Sequence, residues 1–190
     1  MENVDRAIKI INKGGIIIFP TDTAFGIGSR MDNEKSVERL FKIRQRPVNM
    51  AVPVLVSSID MAQKYLQPIG DEVKKLMTKY WPGALTVILP CKPELVPGLV
   101  RGGGQTLGVR MPNHEVPLYI INSIGVPILG SSANFHGQST PYKTQDLSPE
   151  LIKMVDYVIP GECQLGMAST VIDCSVKPWK IIRQGAVKIS

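Results

Sequence analysis

The chain has 190 residues, 44% apolar and 20% charged, a balance ordinary for a globular protein and enough for one sizeable α/β domain more readily than two small ones. No apolar run approaches the roughly 20 residues of a membrane span, the acidic residues of the first six positions lead into no signal-peptide core, and three widely spaced cysteines without a C-x-x-C pair argue against a disulfide framework or a zinc site. Lysine and arginine number 22 against 16 aspartate and glutamate, a net charge of +6 that fits a solvated basic surface, an anionic small ligand or a nucleic acid without choosing among them.

In chain order, Val4, Ala7, Ile8 and Ile11 recur at helical spacing, and Gly14 and Gly15 stop that helix. Residues 16–19 form a continuous apolar strand, buried on both faces and ended by Pro20. Thr21, Asp22 and Thr23 follow; their two hydroxyls and carboxylate also fit a local Asx or Ser/Thr turn. Asp32 or Asn33 caps a helix traced by Val37, Leu40, Phe41 and Arg44, which stops at Pro47 with a basic last turn suited to the helix dipole. Residues 52–56 form a strand whose Pro53 marks an edge or a start. Ser58 caps a helix through Leu66, and a second helix over 71–80 ends at Trp81-Pro82-Gly83.

Residues 85–89 are a strand. Residues 91–104, rich in Pro and Gly, form an excursion or lid, and the glycines at 102–104 lack the strand–helix context of a dinucleotide fingerprint. A strand over 106–111 carries Arg110, and a helix covers 117–124. The run 126–129 is a buried strand, after which Gly130-Ser131-Ser132-Ala133-Asn134 brings in small polar residues. Ser132 and Asn134, two apart in extended chain, share a face; the pair suits an oxyanion or nucleotide at a strand end, and equally an ordinary turn. Ser148 and Pro149 open a short helix, residues 157–159 are a strand, and 169–173 with 179–183 form a late pair. Alternating strands and helices give a single α/β (α+β) domain over 1–190, with helices packed on a twisted mixed sheet. A cytoplasmic location follows by default.

Polar residues at strand ends form one set of hydroxyls, an amide and arginines: Thr23, Arg46, Thr106, Arg110, Ser132, Asn134, Thr140, Ser169 and Arg183. There is no Ser/His/Asp pattern, and His114 and His136 read as surface or loop residues. Such a set binds phosphates and carboxylates, positioning charged reactants without supplying a nucleophile.

The motifs Pro20-Thr21-Asp22-Thr23-Ala24-Phe25-Gly26, Arg44-Gln45-Arg46-Pro47, Trp81-Pro82-Gly83, Val109-Arg110-Met111-Pro112, Ser132-Ala133-Asn134, Ser169-Thr170-Val171-Ile172-Asp173 and Arg183-Gln184-Gly185-Ala186 resemble, in order, those of the YrdC/Sua5 family of threonylcarbamoyl-AMP synthases. The likeness runs from about Asn3 to Ala186 and matches the short YrdC type, without the extra Sua5 domain. It implies a YrdC-like fold with a basic concave cavity. It also implies a nucleotidyltransferase that converts L-threonine, bicarbonate and ATP, with Mg²⁺ on the triphosphate, to L-threonylcarbamoyladenylate and pyrophosphate. The product would pass to threonylcarbamoyl-transfer machinery that modifies adenosine 37 of tRNA. By the same resemblance Thr23, Arg110, Gly130 and Ser169 serve threonine, with Arg110 on its carboxylate. Arg44, Arg46, Thr106, Ser132, Asn134, Thr140 and Arg183 serve ATP, and the protein itself supplies no metal ligand.

Three positions depart from the family pattern. Arg44 stands for a lysine, Met50-Ala51-Val52 for a polar or lysine residue followed by Pro-Leu, and Phe25 for a tyrosine. Arg44 and Met50 leave open a divergent paralogue with reduced synthase activity, and the net positive charge with the family's basic concave surface leaves open a double-stranded RNA-binding or ribosome-maturation module. A related carbamoyl-adenylate chemistry, as in hydrogenase-maturation proteins, is a third.

Overall fold

A computed structural model describes residues 2–189. Helix α1 (Glu2–Asn12) buries Ala7 and Ile11 on its inner face, and Gly14, at φ +84°, turns the chain out of it. Residues 16–19 are wholly buried and contain strand β1 (Ile17–Phe19). Each such isoleucine or phenylalanine contributes roughly 1.5–3 kcal/mol by leaving water. β2 (Gly26–Gly28) returns antiparallel beside β1, with Ile18 opposite Ile27. Helix α2 (Glu34–Arg44) starts at Asn33, whose side chain accepts the Ser36 amide at 3.1 Å, and ends at Gln45 in the left-handed region.

β3 (Val54–Leu55) leads to α3 (Ile59–Tyr65), capped by Ser58, and then to α4 (Asp71–Tyr80). β4 (Leu85–Pro90) and β5 (Thr106–Arg110) pair antiparallel, Val87 opposite Val109. Helix α5 (Glu115–Ile124) precedes β6 (Ile128–Leu129) and β7 (Ser131–Ser132). Helix α6 (Pro149–Met154), capped by Ser148, β8 (Tyr157–Val158), β9 (Thr170–Asp173) and β10 (Lys180–Arg183) complete the order.

The mixed α/β class expected from the sequence is present, with the strands divided between two sheets. One runs β7-β2-β1-β8 and the other β10-β9-β4-β5-β3-β6. The division occurs at Gly130. β6 pairs with β3, and one residue later β7 pairs with β2 in the other sheet. The Gly130 amide donates to the Pro53 carbonyl at 2.8 Å, and a β-carbon at 130 would lie 2.8 Å from the Leu55 side chain. Only glycine lets the chain cross so close to β3.

Two local expectations are narrowed by the structure, and one, for His114, needs correction. β3 lies between β5 and β6, so Pro53 marks a strand start and not an edge. His114 is half-buried and is the N-cap of α5, its Nδ1 accepting the Val116 amide at 3.2 Å. Residues 91–104 are fastened down: Val96 and Val100 are in the core, and the Val100 carbonyl accepts the Val52 amide at 3.0 Å. Their apolar side chains, scattered among Pro and Gly, have no regular period to announce that burial.

Candidate active site

A strand shows alternate residues to one face, and that rule builds the floor of a cavity of about 330 Å³. Thr106, Gly108 and Arg110 line it from β5, Thr86 and Ile88 from β4, and Ser169 and Val171 from the start of β9. The opposite wall is the segment 23–26 with Thr21, together with 130–132 at the crossing between the sheets. Arg44, Arg46, Thr140 and Arg183 close the perimeter. Thr106 and Arg110 are four residues apart on one strand, so the floor is about 14 Å long.

Arg110 stands at one end, 6% exposed. Its Nε donates to the Gly83 carbonyl at 3.1 Å, one terminal nitrogen to Thr23 Oγ1 at 2.8 Å, and the other to Asp22 Oδ1 in a buried ion pair. Burial pushes the guanidinium below its ordinary range, and the Asp22 carboxylate opposes that push. Of its five N–H donors, two are left. Thr23 is fixed in turn: Thr21 Oγ1 donates to the Ala24 carbonyl at 2.7 Å and sits 3.0 Å from Thr23 Oγ1. Asp22 therefore does more than satisfy a local turn: it fixes Arg110 from behind the cavity lining, a role missing from the sequence-based set. Its second oxygen is buried without a protein partner among the described residues.

The other end is held by Arg46 and Arg44. Val54 pairs with Val109 in parallel register, and Ala51, three residues before Val54, lines the cavity with Thr106. Arg46 donates to the carbonyls of Met50, at 3.0 Å, and Ala51. Arg44, 3% exposed, donates from Nε to the Asn134 carbonyl at 2.9 Å and from a terminal nitrogen to Asn134 Oδ1 at 3.0 Å. Burial, and then the Arg46 charge beside it, lower the Arg44 pKa to about 10. Arg46 is also lowered by burial. Among the described residues neither has a carboxylate partner.

Between these ends, Ser169 Oγ lies 2.9 Å from Thr86 Oγ1 and accepts from Arg183 at 3.1 Å, while Arg183 Nε donates to the Ser169 carbonyl at 3.0 Å. Arg183 faces inward because of a bulge: Ile181 pairs with Ile172 and Arg183 with Val171, leaving Ile182 as the extra residue. Gly185 holds the segment after the bulge against the floor, since a β-carbon there would lie 2.2 Å from the Ala168 carbonyl.

All the residues expected at the site line the cavity except Asn134. That side chain is 8% exposed and sits behind the wall, accepting from Ser132 Oγ at 2.5 Å and from Arg44, and donating to the Gln138 carbonyl at 2.6 Å. Arg183, expected with the nucleotide set, lies near Arg110, whose charge it opposes. Ser131 also lines the cavity, with a buried hydroxyl that has no hydrogen-bond partner among the described residues. No group of three His, Cys, Asp or Glu side chains among the described residues could hold a metal ion, and no helix is long and apolar enough to cross a membrane.

The Sua5/YciO/YrdC family model, described as "Telomere recombination", matches residues 9–185. A threonylcarbamoyl-AMP synthase of Bacillus subtilis is 30% identical over 97% of the chain and 54% of its own length. Pyrococcus abyssi Sua5, solved in complex with L-threonine, superposes with a TM-score of 0.89 at 32% identity, over 96% of this chain and 54% of that one. Escherichia coli YciO superposes with a TM-score of 0.87 at 26% identity, over 97% and 90%. The chain spans about half the length of the first two.

Proposed function

The chain belongs to the Sua5/YciO/YrdC family, and from that premise we propose that its cavity is a threonylcarbamoyl-AMP synthase site. The reaction would join L-threonine, bicarbonate and ATP. The threonine amine combines with bicarbonate or its carbon dioxide to give a carbamate. A carbamate oxygen then attacks the α-phosphorus of ATP, and pyrophosphate leaves with the electrons of the broken P–O bond. A transferase that moves the threonylcarbamoyl group to tRNA would consume the product.

One observation carries this reading: Arg44 and Arg46 stand side by side at one cavity wall, both depressed by burial, with no carboxylate partner among the described residues. Two adjacent cations, one buried and one half-buried, are relieved by an anion, and arginine binds phosphate oxygens in a fork. At the other end, Arg110 with two donors left and Thr23 with a fixed hydroxyl suit the carboxylate and amine of an amino acid. Pyrococcus abyssi Sua5, solved in complex with L-threonine, supports threonine as a ligand of such a cavity. Arg183 and Ser169 would lie between the two substrates, where the α-phosphate meets the carbamate. Thr106, Ser132 and Thr140 would add hydroxyl contacts to the nucleotide, and Gly130 a close approach of backbone.

Mg²⁺ would neutralise charge on the triphosphate. The lining offers hydroxyls and guanidinium groups, a donor set that fits a cation arriving on the nucleotide and not one held by the protein. The test is incubation with labelled threonine, bicarbonate, ATP and Mg²⁺, followed by detection of the labelled adenylate. Pyrophosphate should form only when all three substrates are present; release without threonine would overturn the proposal.

A further inference from the structure

Arg44 stands where the family carries a lysine, and its geometry is that of a clasp. We propose that Arg44 is a positioning residue that locks the segment from Ser132 to Gln138 onto the end of α2, and so presets the nucleotide wall before any ligand arrives. The inference deepens the reading above and rests on it for its kinetic arm only.

Arg44 holds the segment from two directions. Its guanidinium donates to both the backbone carbonyl and the side-chain oxygen of Asn134. Its own carbonyl, in the last turn of α2, accepts the His136 amide at 2.8 Å. The carbonyls of a last helical turn lack intrahelical partners, and His136 supplies one. Asn134 relays the hold in both directions, accepting from Ser132 Oγ at 2.5 Å and donating to the Gln138 carbonyl at 2.6 Å. Ser132 borders the cavity, as Arg44 does, so the clasp joins two cavity-lining residues through Asn134 behind the wall. Thr140 borders the cavity two residues beyond Gln138.

The residue type matters. A guanidinium is a planar fork that can reach two acceptors in a fixed geometry, whereas an ammonium is a compact point charge on a flexible stem. A lysine at 44 would keep the charge and lose the paired reach. The two donors turned to Asn134 are also unavailable to a phosphate. Arg44 thus gives its shape to the wall, while the less buried Arg46, which also spends two donors on the Met50 and Ala51 carbonyls, brings its charge and remaining donors to the anion.

The discriminating experiment is a double-mutant cycle of Arg44→Lys and Asn134→Ala, read as the KM for ATP in the synthase assay and as the Kd for ATP alone. A clasp predicts that each single change weakens ATP about tenfold or more, the loss of a charge-assisted hydrogen bond. It also predicts that the double change costs little more than the larger single one, with kcat altered less than KM. If Arg44 binds phosphate independently, the two effects multiply, and that result overturns the proposal. Because a buried arginine can be needed for folding, a second measurement uses the unsubstituted chain without nucleotide. The His136 amide should exchange with solvent deuterium at least a hundredfold slower than the amide of His114, which has no hydrogen bond drawn into a helix end. Fast exchange at His136 also overturns the clasp, whatever the assay shows. Failure of the unsubstituted chain to bind ATP would remove the synthase reading and leave the exchange result standing or falling alone.

Discussion

The two ends of the cavity treat positive charge in opposite ways. At one, Arg110 is buried beside Asp22, which neutralises it and fixes its direction. At the other, Arg44 and Arg46 are held only by carbonyls and an amide, and oppose each other. A compensated guanidinium is a directional donor that needs no ligand to be stable. An uncompensated pair is a standing demand for an anion. Under the proposed function the difference would sort the substrates, a zwitterionic amino acid at the first end and a polyanionic phosphate chain at the second.

The largest effect should come from breaking the compensated end. Asp22→Ala leaves Arg110 charged and unpaired in the interior, and removing one partner of a buried pair costs about 3–5 kcal/mol. Urea unfolding should show that loss, and Arg110→Ala should show a similar one from the opposite side. Next, Arg46→Ala should leave stability nearly unchanged while weakening ATP by roughly 1.5–3 kcal/mol, about ten- to a hundredfold in Kd. If Arg46→Ala unfolds the protein as readily as Asp22→Ala, the two ends do not differ as described.

A smaller effect is expected at their junction. Thr86→Val removes the hydroxyl beside Ser169 and should cost about 1 kcal/mol, read as a raised threonine KM with ATP little affected. The smallest lies outside the cavity and serves as its control. Burial alone would raise the Asp156 carboxyl, but hydrogen bonds from Arg39 and the Ile16 amide outweigh it and hold the pKa below its ordinary value. Its stabilisation is therefore complete above the usual carboxylate range and is lost as pH falls through the lowered value. Asp156→Asn should flatten that part of the acid unfolding curve and leave both KM values unchanged.

Much of this was legible in the sequence because it is local. The unbroken apolar run at 16–19, the caps at Asn33, Ser58 and Ser148, and the alternation of Thr106, Gly108 and Arg110 are all period or cap signals. The partition into two sheets was not, since β6 and β7 have two residues each and their partners lie far away in sequence. Asp22 was hidden because a carboxylate between two threonines satisfies a turn as plausibly as an ion pair with a residue 88 positions on. The inward aim of Arg183 depends on a bulge that no pattern in Lys180-Ile181-Ile182-Arg183 reveals. Arg44 reads as a phosphate ligand by its type; its partner, Asn134, is visible only in three dimensions.

The most direct test of the two-ended cavity is a pair of saturation curves for Arg46→Ala and Arg110→Ala in the synthase assay. The account predicts a crossover: Arg46→Ala raises the KM for ATP at least tenfold and that for threonine less than threefold, and Arg110→Ala does the reverse. Equal movement of both KM values in each variant would contradict it.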